Sequence, residues 1–117
     1  LSEALAPFAP LPFVVKRGEE FVMIIRCPDQ DACRVALDRF RTTVADTKFP
    51  QVGQVTISLG AIRMSRNTFT GTLLDYADKA LYHSKHNGRD QVTFFEDLVA
   101  AGILETENIE TGSIDFF

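Results

Sequence analysis

The sequence predicts an α+β sandwich, and three observations carry the prediction. Its elements read in the order strand, strand, helix, strand, helix, strand. The first two strands lie close enough in sequence to form a hairpin, which a doubly wound parallel sheet does not provide. Both helical stretches are apolar along one stripe only, so each has a sheet face to cover, and the reading places them on one side of the sheet. The chain's 117 residues suffice for this: a domain of that size buries roughly two-thirds of its unfolded surface and needs no disulfide or structural metal to hold its core.

Taken in order, residues 1–12 carry Pro7, Pro10 and Pro12, which stop any helix begun at Leu1 and predict an extended connector. Phe13-Val14-Val15 is a short β-branched strand, Arg17-Gly18 is the turn candidate, and Phe21 to Ile25 is predicted as a buried strand. A two-residue hairpin turn wants φ > 0 at its first central position, where Arg costs about 1 kcal/mol, so Arg17 is an oddity there. Between Pro28 and Asp46, apolar residues at Cys33, Ala36, Leu37, Phe40 and Val44 mark one face of a helix with Asp29 as its N-cap. Arg34, Asp38, Arg39 and Arg41 take its other faces.

Gln51 to Gln54 make a turn, and Val55 to Gly60 alternates as a half-buried strand does. A second amphipathic helix turns Leu73, Leu74, Ala77, Ala80, Leu81 and Ser84 inward. Thr72 and Asp75 stand at capping-box spacing near its start, and Asn87-Gly88 supplies the left-handed residue that ends it. Gln91 to Phe95 is the last strand. From Asp97 onward an apolar patch, Leu98 to Ala101, precedes an acidic stretch that reads as a docking extension or as a loose tail.

Charge and composition narrow the function classes. The net charge of −4 argues against a nucleic-acid binder. The acidity is local, however: Glu96 to Phe117 hold six acids and no base, so residues 1–95 carry 12 bases against 10 acids and tolerate an anionic ligand. The longest apolar run, Phe21 to Ile25, falls far short of the ~20 residues a membrane helix requires, so no membrane contact is expected of this segment. Cys27 and Cys33 match neither a CxxC redox pair nor a common zinc spacing, which predicts two core thiols and a cytoplasmic setting. A chain opening on Leu1 with no signal segment is expected to be part of a longer protein.

Two constellations carry chemistry. Glu19-Glu20 follow the turn at the mouth of an apolar strand, and alternation lets at most one of them address a given ligand. They read as solvated charges at a hairpin tip, or as a hard oxygen ligand for Mg²⁺ beside a glycine that admits a nucleotide. Lys85-His86-Asn87-Gly88-Arg89 ends the second helix with two cations straddling a glycine. That pattern serves the helix dipole, or clamps a phosphate with Lys as point charge and Arg as fork. His83 and His86 flank the apolar stripe and read as surface residues, not as a zinc pair.

Three blocks in fixed order resemble a known family. Gly18-Glu19-Glu20-Phe21 leading into Val22-Met23-Ile24-Ile25, then Val55-Thr56-Ile57-Ser58-Leu59-Gly60, then Ala77-Asp78-Lys79-Ala80-Leu81-Tyr82 running into Lys85 to Arg89, are similar to the back two-thirds of a GGDEF domain, the diguanylate cyclase family. The resemblance covers residues 13–96. It implies a nucleotidyl-cyclase palm, a ferredoxin-like and mostly antiparallel sheet with packed helices, with residues 1–12 as connector, 97–117 as acidic extension and the front of the domain missing. It implies two GTP condensed to cyclic di-GMP across a homodimer, with Mg²⁺ or Mn²⁺ assisting. Glu19 is then the metal-coordinating catalytic acid and Glu20 the second acid of the signature; Gly18 leaves room for the nucleotide, while Lys85 and Arg89 hold the triphosphate. Asp78 falls to scaffold anchoring.

The departures are specific. Arg17 replaces the first signature glycine, or two residues are lost and Arg17 is the Arg that precedes the glycines. The family's inhibitory Arg-x-x-Asp site has no match upstream, and the front part with the first metal-binding Asp has no counterpart. Two hypotheses follow: a cyclase whose parent chain supplies the remaining ligands, joined to an upstream sensory or regulatory domain, and a degenerate module that binds GTP or a protein partner. Glu96-Asp97-Leu98 resembles the start of an EAL hydrolase domain only superficially, since Ala100 stands where the Arg belongs.

Overall fold

A computed structural model describes residues 10–18, 21–65 and 67–104. Strands β1 (Leu11–Arg17) and β2 (Phe21–Cys27) form an antiparallel hairpin, in register from Leu11↔Cys27 to Arg17↔Phe21. Helix α1 (Gln30–Asp46) follows, then a small hairpin of β3 (Lys48–Phe49) and β4 (Gly53–Gln54), strand β5 (Leu59–Arg63), helix α2 (Thr70–His86), strand β6 (Val92–Phe94) and helix α3 (Phe95–Ala100). The main sheet runs β2-β1-β5-β6, with β1 antiparallel to both neighbours and β5 parallel to β6. This is the expected α+β class, with a mixed sheet.

The helices cover both faces, not one. Alternation along β1 sends Phe13 and Val15 to one side, where they meet Cys33 and Leu37 of α1 with Leu59, Ala61 and Phe94. Val14 points the other way, into Ile62, Leu73, Tyr76, Ala77 and Ala80, with Phe95 and Leu98 closing that side. Periodicity fixes which stripe of a helix is apolar but not which face of the sheet receives it. Gly60 sets how closely α2 approaches: a Cβ there would stand 2.1 Å from Leu81 N and 2.3 Å from Ala77 O. Lys16 adds an ion pair to Asp78 of α2 at 3.2 Å, so Asp78 ties helix to sheet.

Several boundaries differ from the expectation. Among the described residues β2 lies at the edge of the sheet, with Met23, Ile25 and Cys27 turned inward while Phe21, Val22 and Ile24 are 57%, 48% and 59% exposed. An apolar run reports strand propensity, and whether a neighbour covers its second face is a tertiary matter. Arg17 is the last paired residue of β1, and the positive φ falls on Gly18 (+70°), so the oddity at the turn disappears. The strand expected at Val55–Gly60 lies instead at Leu59–Arg63, because β6 offers partners only from Leu59 onward. Helix α2 starts at Thr70 with no side-chain cap, which leaves Thr72 and Asp75 inside it; Asp75 pairs with Lys79 at 3.3 Å. Asp29 does cap α1, accepting from Ala32 N at 2.8 Å. On α1 only Cys33 and Leu37 are fully buried, and Ala36 and Phe40 stay exposed.

The chain leaves β6 directly into α3. Strand β5 runs past the end of β6, and there Glu96 Oε2 accepts the Arg63 N–H at 2.7 Å. Burial, stronger than this hydrogen bond, pushes the Glu96 carboxyl above the usual carboxylate range. Asp97 bridges to Arg34 of α1 at 2.9 Å and Leu98 is buried, so the apolar patch is docked; residues 105–117 lie outside the described residues. Both cysteines are free and buried, and burial beside Cys27 pushes the Cys33 thiol up to about 12.

Candidate functional site

A cavity of about 440 Å³ opens between the β1–β2 hairpin, the segment entering β5 and the end of α2, lined by Arg17, Gly18, Phe21, Thr56, Ile57, Ser58, Lys85 and Arg89. Its near wall follows from the hairpin register. Gly18 takes a left-handed conformation that costs a side-chain-bearing residue about 1–2 kcal/mol, and among the described residues other than its chain neighbours no atom lies within 4 Å of where its Cβ would stand. Arg17 leans over the Phe21 ring, with its guanidinium carbon 5.1 Å from the centroid, which orders an otherwise exposed cation at the cavity wall.

The far wall is built by the end of α2. Ser84 is fully buried; its Oγ donates to Leu59 O at 2.8 Å and shares a 2.6 Å hydrogen bond with Thr93 Oγ1. This anchors the last helical turn to β5 and β6 and so aims Lys85, the next residue. Beyond Asn87 the backbone takes three positive φ values in succession: Gly88 (+113°), Arg89 (+60°) and Asp90 (+48°). Two of these are costly, and such strain persists where surrounding bonds over-determine it. Arg89 N donates to Ser84 O at 2.9 Å, Asp90 N donates to Ser58 Oγ at 3.1 Å, and Gln91 Nε2 donates to Asn87 O at 2.6 Å. Arg41 of α1 donates from Nη1 to both Asp90 O (3.2 Å) and Asp90 Oδ1 (2.8 Å).

The described lining residues offer three cations, two hydroxyls and no carboxylate. That donor set fits a polyanion carrying several phosphates, where Arg forks and a Lys point charge replace water around the oxygens. It does not fit a divalent cation, which wants several oxygen ligands. Among the described residues no cluster of three His, Cys, Asp or Glu side chains is placed to hold a metal ion.

Of the sequence-predicted site residues, Gly18, Lys85 and Arg89 share this cavity although 67 positions separate Gly18 from Lys85 in a chain numbered continuously. Glu19 and Glu20 lie outside the described residues. Thr56 and Ser58 also reach the cavity, and Ser58 spends its oxygen on the turn backbone. Two participants escaped the site reading. Arg17 was visible as a departure from the signature, which is the signal that finds it. Arg41 lies off the apolar stripe of its helix, yet its side chain is only 18% exposed; no local pattern announces a partner at Asp90. Hydrogen bonds to Asp90 and Asp38 hold its guanidinium protonation even more firmly than usual.

Comparison with known proteins gives a consistent result. The pattern of the family described as "Diguanylate cyclase, GGDEF domain" matches residues 14–91. YhcK of Bacillus subtilis, whose function is uncharacterised, is 40% identical over 85 residues, covering 68% of this chain and 23% of that protein. Diguanylate cyclase A of Treponema denticola is 34% identical over 80 residues, covering 65% of this chain and 22% of its own length. The chain thus spans less than a quarter of these curated relatives. Among solved structures, the GGDEF domain of DgcB from Caulobacter crescentus, in complex with c-di-GMP, superposes with a TM-score of 0.61 at 27% identity, over 81% of this chain and 60% of that one.

Proposed function

The chain belongs to the GGDEF, diguanylate cyclase, family, and from that premise we propose that it is the triphosphate-holding part of a domain that condenses two GTP into cyclic di-GMP across a homodimer. One observation supports this above the others: Arg17, Gly18, Lys85 and Arg89 line a single cavity. In this reading Lys85 and Arg89 grip the β- and γ-phosphates, and Arg17 adds a third positive charge from the hairpin side. The 3′-hydroxyl of each GTP gives up its proton to solvent and attacks the α-phosphorus of the other in line; each time the bond to the bridging oxygen breaks, so two pyrophosphates depart and the ring closes. Charge accumulates on the departing oxygens, so cations that are already in place lower the barrier without reorganising.

Glu19 is the carboxylate assigned to the Mg²⁺ or Mn²⁺ that the family uses, with Glu20 as the second acid of the signature. The described residues that line the cavity include no carboxylate, so Glu19 alone does not complete the ligand set and this reading takes further ligands from elsewhere in the parent protein. In the full-length protein this reading adds an upstream sensory or regulatory domain as partner. No helix among the described residues is long and apolar enough to cross a membrane.

Incubating the full-length protein with GTP and Mg²⁺ and resolving cyclic di-GMP by chromatography tests the reading, with Glu19→Ala and Lys85→Ala beside it. Product from the parent, lost in Glu19→Ala, is the expected outcome. Each cation removed from the clamp costs about 1.5–3 kcal/mol of nucleotide binding, or roughly 10- to 150-fold. A second reading draws on Arg17 standing in the altered signature: a degenerate module that binds GTP as a regulatory signal. Nucleotide binding without product establishes that reading, and absence of both leaves only a protein-partner role.

A further inference from the structure

Arg41 belongs to α1, which packs on the opposite face of the sheet from α2, yet its guanidinium ends at the turn that carries Arg89. Its fork is used from both sides. Nε and Nη2 hold Asp38 Oδ1 on the same helix at 2.9 and 2.8 Å, which fixes the side chain, and Nη1 takes the carbonyl and carboxylate of Asp90. The pair is partly buried, with the Arg41 side chain 18% exposed and that of Asp90 38%. Asp90 and Arg89 are adjacent in a run of left-handed residues, so the direction in which Arg89 leaves the backbone depends on the dihedrals that the Asp90 contacts hold. Lys85 lies within the helix, held by Ser84, and does not depend on that turn.

We infer that Arg41 is a positioning residue of the nucleotide site: its double contact with Asp90 locks the Gly88–Asp90 turn in the one conformation that delivers Arg89 into the cavity. The inference rests on the triphosphate reading above. It makes Arg41 act through Arg89 and not through Lys85, which distinguishes it from a residue that merely stabilises the fold.

The test is a pair of double-mutant cycles in the full-length protein, read as GTP affinity by calorimetric titration, with inorganic triphosphate as a second probe. Arg41→Ala is expected to weaken binding about tenfold, to a degree close to Arg89→Ala, and the double variant to lose no more than Arg89→Ala alone. In the second cycle, the losses from Arg41→Ala and Lys85→Ala multiply. Arg41→Lys, which keeps the charge but not the fork, shows an intermediate loss and carries the cycles if Arg41→Ala does not fold. Multiplying losses in the Arg41–Arg89 cycle, or wild-type affinity in a folded Arg41 variant, overturns the inference and leaves the triphosphate reading standing. A wild-type protein that binds neither probe overturns that reading and this inference with it.

Discussion

Replacing Gly60 with Ala puts a methyl group where α2 already lies against β5. The added Cβ would sit 2.1 Å from Leu81 N, 2.3 Å from Ala77 O and 2.7 Å from Leu81 Cα, whereas ordinary contact begins at 3.4 Å. All three neighbours are backbone atoms, so no side chain can swing aside, and the helix has to lift from the sheet by more than an ångström. Overpacking a core costs about 1–3 kcal/mol, and a clash with helix backbone belongs at the upper end, near 3 kcal/mol. Lifting α2 also loosens the contacts of Ala77 and Ala80, both 0% exposed, and moves the helix end that carries Lys85. Against a total stability of roughly 5–15 kcal/mol, the loss is large enough to read by urea unfolding with a shared m-value. The expected outcome is a midpoint well below wild type together with weaker GTP binding. A Gly60→Ala protein within about 0.5 kcal/mol of wild type would refute the claim that the glycine exists for helix–sheet approach.

Two further substitutions examine the supports of the site. Ser84→Ala strips Leu59 O of its side-chain donor and Thr93 of its partner inside the core, which costs about 1–3 kcal/mol; denaturant unfolding measures it, and an unchanged midpoint contradicts the anchoring role. Glu96→Gln keeps an acceptor for the Arg63 N–H while removing the charge. Because burial raises the Glu96 pKa in the folded state, the folded protein binds the proton more tightly than the unfolded chain does, and stability falls as pH rises from the unfolded carboxylate range through the raised folded value. Wild type is therefore expected to lose stability relative to Glu96→Gln across that window and to stay lower at neutral pH. Parallel thermal midpoints for the two proteins from pH 4 to 7 count against it.

How much of this was legible depends on the range of the interaction. Local patterns placed α1 with its Asp29 cap, the inward stripe of α2 and the left-handed stop at Gly88, since each rests on residues within a turn or two of one another. The signature order pointed at Gly18, Lys85 and Arg89 as one group. The apolar run of β2 misled, because Phe21, Val22 and Ile24 have the same propensity at an edge as in a core. Arg41 was invisible for the opposite reason: on its own helix it alternates like any solvated cation, and only the return of the chain at Asp90 gives it a partner.

What the sequence by itself determined was the inventory: strands, amphipathic helices, their stops and the charged groups at the end of the second helix. Those depend on backbone propensity and spacing, which act over a few residues. Tertiary structure decided which face each helix covers, that β2 lies at the edge, and that a hairpin tip and a helix end 67 positions apart enclose one cavity. Such pairings are set by which surfaces bury the most apolar area together once the chain closes on itself, and no local window of sequence contains that competition.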